Sequence, residues 1–269
     1  MPITARRQVT RIADNSREIR FDSLVAEEPL EIRIGGRSLA VTMRTPGHDF
    51  ELATGFLLSE GLIAGGSDVT TISYCPGPDK QEFNVLDVTL APGVLPPPPQ
   101  ATRPFVSTSS CGLCGKASVD TVRSKSRHDV SGDDLRVPAH LLCALPGRLR
   151  DAQKVFDRTG GLHAAGLFDA TGRLVCVRED VGRHNAFDKV IGWAAMAGRL
   201  PLRDHLILAS GRASFELVQK ALMAGLPMLA AVSAPSDLAA QLAEETGMTL
   251  VGFLRGDTMN VYAGVDRIL

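Results

Sequence analysis

Leu206-Ile207-Leu208-Ala209-Ser210-Gly211-Arg212-Ala213-Ser214 decides how this chain folds. Four apolar residues with no polar interruption read as a strand buried on both faces. A polar, glycine-bearing loop follows. A helical run over residues 214–223 then ends before Gly225. Downstream the alternation continues with a strand at 228–232, a helix at 235–245 stopped by Gly247, and a strand at 249–254. Upstream, 138–145 and 147–158 are helical in pattern. Strands at 162–168 and 173–177 are joined by the turn Asp169-Ala170-Thr171-Gly172, and a helix at 185–197 ends at Gly198. Strands alternating with helices predict an α/β fold with a largely parallel sheet covered on both faces.

The N-terminal part has a different texture. Residues 31–34 alternate, Gly35-Gly36 turns, and 38–43 alternate again, which is a hairpin signal. Asp49 is placed to cap a helix over residues 50–60, where Leu52, Ala53, Phe56 and Leu57 recur at helical spacing and Gly61 stops the run. Residues 81–90 read as a further strand. Five prolines within 92–99 make a linker. The organisation expected is an N-terminal α+β domain over 1–100, a two-thiol loop and helix over 101–136, and an α/β domain over 137–269.

Composition sets outer limits. The 269 residues are 44% hydrophobic and 22% charged, as in a globular protein, but only 5% aromatic, so the core must be aliphatic. A formal net charge of −1 argues against binding nucleic acid by bulk electrostatics. Residues 1–15 carry Arg6, Arg7 and Arg11 with no apolar run behind them, unlike a secretory signal. No stretch approaches the roughly 20 apolar residues of a membrane span. Five cysteines are odd in number and sparse, so reduced thiols and a cytoplasmic location are expected.

The chemistry concentrates in two places. Ser109-Ser110-Cys111-Gly112-Leu113-Cys114-Gly115-Lys116 sets two thiols among small residues that leave them uncovered. Such a pair chelates a soft metal, shuttles electrons, or carries sulfur, and each use needs a reachable thiolate. Cys75, Cys143 and Cys176 are scattered singly and complete no zinc set. Cys143 and Cys176 fall at apolar periodic positions and read as core residues. Lys116 and the helix start behind the pair would lower a thiol pKa.

The second place is the rim beyond the strand ends. Arg178-Glu179-Asp180-Val181-Gly182-Arg183-His184-Asn185, Ser210-Gly211-Arg212, Ser233-Ala234-Pro235-Ser236 and Arg255-Gly256-Asp257-Thr258 read as loops there. Ligands of open α/β sheets bind at that rim, and arginine pairs with phosphate bidentately. Taken singly, each loop reads as a helix cap with a surface arginine. Together, Arg183, Arg212 and Arg255 read as a site for an anionic, nucleotide-bearing ligand. His163 tests a rival, zinc deamination, which needs His-x-Glu followed by Pro-Cys-x-x-Cys. Position 165 is alanine and the thiol pair precedes the histidine, so that chemistry is not expected. His163 reads equally well as a satisfied histidine at a strand start.

Five segments in this order resemble the FdhD family of accessory sulfurtransferases required for active formate dehydrogenase. They are Arg44-Thr45-Pro46-Gly47-His48-Asp49, the Cys111 to Gly115 segment, Glu179-Asp180-Val181-Gly182-Arg183-His184-Asn185-Ala186, Ser210-Gly211-Arg212-Ala213-Ser214-Phe215-Glu216 and Ser233-Ala234-Pro235-Ser236. The resemblance implies a cytidine-deaminase-like three-layer α/β/α domain at the C-terminus, without zinc chemistry, behind a smaller N-terminal α+β domain. It implies a homodimeric persulfide carrier that takes sulfur from a cysteine desulfurase. The acceptor would be the molybdenum or tungsten centre of a bis(molybdopterin guanine dinucleotide) cofactor destined for formate dehydrogenase. Cys111 would carry the persulfide with Cys114 as second thiol. Phe253, Leu254, Arg255, Gly256, Asp257 and Thr258 would bind the cofactor, and the reading of the rim loops adds Ser210, Gly211, Arg183 and Arg212 to that site. Guanine nucleotides would mimic the ligand, and no metal of the protein's own is implied. Two alternatives stay open: a non-catalytic cofactor-binding chaperone, and a zinc-stabilised interaction module. A mobile loop over 106–115 is expected from its small residues.

Overall fold

A computed structural model describes residues 2–14, 16–75, 83–96, 105–106 and 126–269. Cys111, Cys114, the 106–115 loop beyond Val106 and nearly all of the helix expected after it lie outside these residues, as do residues 97–99 of the proline-rich linker.

The C-terminal part is built on a six-stranded sheet. Its strands are β8 (His163–Asp169), β9 (Leu174–Asp180), β10 (His205–Ala209), β11 (Met228–Ala231), β12 (Thr249–Arg255) and β13 (Thr258–Ala263). Their spatial order is β13-β12-β11-β10-β8-β9. The expectation of a largely parallel sheet is corrected here. β10, β11 and β12 are mutually parallel, whereas β8 runs antiparallel to both β10 and β9, and β13 antiparallel to β12. Short turns make the difference: β8–β9 and β12–β13 are hairpins, and a hairpin cannot join parallel strands. The pairing still leaves β9 to β12 pointing one way, so their carboxyl ends share one rim.

Side-chain alternation makes the three layers. Leu206 and Leu208 of β10, with Ala164 and Phe168 of β8, meet Leu142, Leu145 and Leu149 of α2 (Ala139–Ala152). Ile207 and Ala209, with Ala165 and Leu167, face the opposite side. There they pack on α4 (Arg183–Met196), α5 (Phe215–Met223) and α6 (Asp237–Thr246). A single helix runs through Pro146 where the sequence suggested a break, and only the short α3 (Phe156–Thr159) follows it. Burial of three leucines on one stripe outweighs one missing amide bond.

The N-terminal part holds a five-stranded sheet of order β5-β6-β3-β4-β7. Its strands are β3 (Glu28–Ile34), β4 (Arg37–Arg44), β5 (Val69–Tyr74), β6 (Val85–Leu90) and β7 (Phe105–Val106). The expected hairpin is present. Gly35 and Gly36 both take positive φ, 55° and 78°, as a two-residue turn with the strand twist requires. Ahead of it, β1 (Thr4–Ala13) and β2 (Ser16–Val25) form a separate two-stranded ribbon that the sequence reading did not anticipate. One ribbon face carries Ile12, Ile19 and Phe21, exposed by 60–68%.

Helix α1 (Asp49–Ser59) joins the two parts, and one hydrophobic core runs through both: Leu30, Ile32, Leu52 and Leu57 cluster with Phe187, Val190, Ile191 and Leu217. Helices α1 and α4 approach at bare backbone. A Cβ on Gly55 would lie 1.8 Å from the Asp188 carbonyl oxygen, and one on Gly192 1.8 Å from that of Glu51. Beside this crossing, the Arg178 guanidinium donates to both carboxylate oxygens of Glu51 at 2.5 and 2.7 Å. Asp49 does not cap α1, which is a second correction. His48 occupies the cap position in left-handed backbone with no side-chain cap bond, and Asp49 is buried under Arg44, with contacts of 3.1 and 3.0 Å, and Tyr74 at 3.0 Å. A paired ion is cheaper to bury than a lone carboxylate, so Asp49 goes where the guanidinium is.

Gly55→Ala therefore forces α1 and α4 apart. Overpacking of this kind costs about 3 kcal/mol, and the midpoint of thermal unfolding should fall by about 6–12 °C. Glu51 supplies a pH test. Burial would raise its carboxyl, but the bonds from Arg178 and His48 outweigh burial and hold it at about 2. A folded pKa below the unfolded one stabilises above the ordinary carboxylate value. That contribution, about 3 kcal/mol at most, fades as pH falls from about 4.5 toward 2. Urea unfolding of Glu51→Gln across that range should show a shallower loss of stability with acid than wild type.

Candidate active-site rim

The site begins with a buried polar knot behind the rim. Asp180, the last residue of β9, is fully buried and accepts from the amide of Thr45 at 3.1 Å, from that of Gly182 at 2.8 Å and from the Asn185 side chain at 3.0 Å. Lys189 Nζ is 2.7 Å from the same carboxylate and donates to the Thr45 carbonyl at 2.8 Å. The Thr45 hydroxyl accepts from the Val181 amide at 3.1 Å. Two of the segments behind the sequence resemblance, one from each part of the chain, are thus tied to each other. The stretch from Arg178 to Asn185 is not one long loop, as the sequence suggested. Arg178, Glu179 and Asp180 complete β9 because each has a partner: Glu51, the amides of Val155 and Phe156 at 3.1 and 2.8 Å, and Lys189. Only Val181 and Gly182 separate the strand from α4.

The loops after β10, β11 and β12 are laced along the rim by main-chain bonds. The Val232 amide donates to the Ala209 carbonyl at 3.2 Å, Ala213 to Ala234 at 3.2 Å, Ser236 to Ala213 at 2.9 Å, and Phe253 to Ser233 at 3.2 Å. Ser236 caps α6 through a bond from the Ala239 amide at 3.3 Å. Ser214, in contrast, makes no cap bond and lies 3.2 Å from His184 Nε2. That nitrogen is also 2.7 Å from Glu216, whose carboxyl it holds below the ordinary range.

The sequence-nominated residues divide. Ser210 sits against the start of β8, its hydroxyl accepting from the Ala164 amide at 2.8 Å. Gly211 lies against the His163 ring. Arg183 opens α4 half-buried, with a buried Nε that has no hydrogen-bond partner, and its charge reaches both His163 and Glu216. Arg212 and Arg255 are exposed, and neither forms an ion pair among the described residues. Arg255 lies over the Phe253 ring, 5.5 Å from its centre. Gly256 and Asp257 are the exposed turn between β12 and β13, with Thr258 beginning the return strand. Phe253 takes positive φ, 50°, at a bulge, and strain of that kind gathers at functional sites. The bulge also resets the pleat. Leu254 joins Val251 on the α2 side, fully buried, as a core residue.

A cleft of about 610 Å³ opens at this rim, between the ends of β9, β10 and β11 and the loop ahead of β8. His163 and Ser210 line it, and so does Gln153, which sequence reading passed over. No periodicity or motif marks Gln153; only its position behind α2 places it there. Among the described thiols, burial pushes Cys176 up to about 11, and burial and then Asp257 raise Cys143. Neither is a poised thiolate. Among the described residues, no helix is long and apolar enough to cross a membrane.

Comparison with known proteins gives a consistent result. The model of the FdhD/NarQ family matches residues 25–269. A "sulfur carrier protein FdhD" of Mycolicibacterium paratuberculosis is 59% identical over 271 residues, covering 100% of both chains. One of Streptomyces coelicolor is 59% identical over 270 residues, covering 99% of this chain and 96% of its own. A crystal structure of a proposed formate dehydrogenase accessory protein from Desulfotalea psychrophila shares the fold at a TM-score of 0.78 and 24% identity, over the full length of both chains. The match over nearly the whole chain, with the four described signature segments meeting in one knot and one rim, places this protein in the FdhD/NarQ family.

Proposed function

We propose that this protein is a sulfur carrier for formate dehydrogenase, with Cys111 as the carrying thiol. The full-length identity to sulfur carrier proteins is the observation that bears most of this reading. Two other thiols compete poorly for the role, because burial raises the pKa of Cys143 and of Cys176.

The sulfur donor is a cysteine desulfurase persulfide. The Cys111 thiolate attacks its outer sulfur, one S–S bond forms as the other breaks, and the desulfurase leaves as a thiolate. Delivery to a metal as sulfide needs two more electrons. Cys114 supplies them by attacking the inner sulfur of the Cys111 persulfide, which releases hydrosulfide and leaves a Cys111–Cys114 disulfide for a cellular dithiol to reduce. The acceptor is the molybdenum or tungsten centre of the bis(molybdopterin guanine dinucleotide), bound as substrate. The unpaired Arg212 and Arg255 and the orphaned Nε of Arg183 suit its phosphates. The reading includes a cytoplasmic homodimer, and the exposed apolar face of the β1–β2 ribbon is the kind of surface a second copy covers.

Incubation with a cysteine desulfurase and cysteine should add 32 Da, one sulfur atom, to wild type by mass spectrometry (about one such increment per transferable sulfur). Cys111→Ala should lose the increment while its thermal unfolding stays unchanged. Normal maturation of formate dehydrogenase by that variant would sink the assignment.

A further inference from the structure

One histidine of the rim is gripped by a carboxylate. His184 stands in the first turn of α4, and its Nε2 lies 2.7 Å from Glu216 Oε2 and 3.2 Å from Ser214 Oγ. Ser214 and Glu216 sit at the start of α5, so the cluster joins two of the segments behind the family resemblance. The bond from His184 is the largest influence on the Glu216 carboxyl and, against burial, holds it below the ordinary range. Glu216 is therefore charged at neutral pH and accepts. Nε2 carries the proton, and the lone pair of the neutral ring lies on Nδ1. Among the described residues Nδ1 has no hydrogen-bond partner. The described side-chain atoms sealed from solvent without a partner are Arg183 Nε and Arg267 Nε, so Nδ1 is open to solvent. An imidazole fixed at one nitrogen by a carboxylate and reachable at the other is built as a general base.

The chain that carries the two thiols leaves the sheet beside this histidine. β7 runs parallel to β4 and pairs Val106 with Val41. The next residues along β4 both hold Asn185: the Thr42 hydroxyl donates to its side chain at 3.3 Å, and the Met43 carbonyl accepts from it at 2.8 Å. Asn185 adjoins His184 in α4. Cys111 comes five residues after Val106, an extended reach of at most about 18 Å. The charged groups around the dyad are Arg183 on α4, Lys220 on α5 and His163 at the start of β8, with Asp180 behind and tied to Lys189. Glu216 is the carboxylate that bonds the ring. Arg183 and His163 leave the corner favourable to an anionic sulfur.

We propose that His184, with Glu216 as its positioning residue, carries the proton when sulfur leaves Cys111. The proposal rests on the reading of Cys111 as the carrying thiol and Cys114 as its partner. The loaded Cys111 is a persulfide anion, whereas Cys114 enters as a thiol. His184 takes the Cys114 proton at Nδ1 as the Cys114 sulfur attacks the inner sulfur of the persulfide. The new S–S bond forms, the old one breaks, and its electron pair leaves with the outer sulfur. The protonated ring returns the proton to that sulfur, which departs as hydrosulfide and not as the far more basic sulfide dianion. Thiol and persulfide anion thus give disulfide and hydrosulfide, with no proton or electron left over.

The test reads the release step alone. The full chain is loaded by a cysteine desulfurase and cysteine, desalted, and followed without reductant for free sulfide and for loss of the added sulfur by mass spectrometry. His184→Gln, brought to the same degree of loading, should release sulfide roughly 100-fold more slowly than wild type at neutral pH. Wild-type release should fall in acid as the ring takes up a proton, and that arm of the profile should be missing in His184→Gln. Alkaline pH, where a thiol ionises unaided, should close the gap, and added imidazole should restore part of the rate. A histidine that merely pins α4 to α5 would show neither rescue. Glu216→Gln keeps the ring and should slow release about 10-fold, which keeps the test valid if His184→Gln misfolds. Wild-type release by either folded variant, slow release that neither imidazole nor alkali restores, or no release from loaded wild type overturns the proposal. Failure of wild type to load at all overturns the carrier reading and the proposal with it, whereas normal loading with unaltered release overturns the proposal alone.

Discussion

The structure depends on one buried carboxylate. Asp180 lies at the end of β9 with no exposure to solvent, where Lys189 and three N–H donors surround its carboxylate. Burying an ion costs several kcal/mol, recovered only when geometry is good and every lone pair is met. Here the Thr45 amide, which donates to the carboxylate, and the Thr45 carbonyl, which accepts from Lys189, belong to the N-terminal part of the chain. The C-terminal sheet cannot satisfy its own charge without the segment that leads into α1. The same interaction that fixes the two parts against each other also sets where α4 starts, and so where Arg183 stands.

A second ion pair repeats this logic around the neighbouring helices. Asp188 accepts from Lys220 at 2.8 Å through both oxygens and from Ser59 at 2.9 Å, linking α4, α5 and α1. The bare contact at Gly55 and Gly192 lets the helices come close enough for those bonds. Close backbone approach and charge pairing require each other. A larger residue at the crossing would pull Ser59 from Asp188, and the loss would reach Lys220.

Rigidity of this kind suits the chemistry proposed at the rim. A carrier must hold a large anionic substrate in fixed orientation while a thiol is loaded elsewhere and brought to it. The rim is made of loops, yet they are bonded to each other strand by strand and anchored on a sheet whose two faces are both buried. Arg212 and Arg255, which form no ion pair among the described residues, sit on that stiff frame, so little ordering would be left for the proposed ligand to impose.

The sequence by itself determined the layer architecture. Runs such as Leu206 to Ala209 and the glycine-terminated helices carry their own periodicity, and burial on both faces follows from it. The thiol pair and the order of its neighbouring segments carried the family. What the sequence could not decide was the direction of strands, because a strand reads the same along either orientation and only turn length and pairing choose. Polar residues were the harder case. Arg178, Glu179 and Asp180 look like a loop until Glu51, the α3 amides and Lys189 arrive to pair with them, and Asp49 looks like a cap until Arg44 does. Gln153 has no pattern around it at all. Hydrophobic burial is encoded locally, residue by residue, whereas the pairing of a buried charge or amide exists only once distant segments meet, so only the tertiary structure settled it.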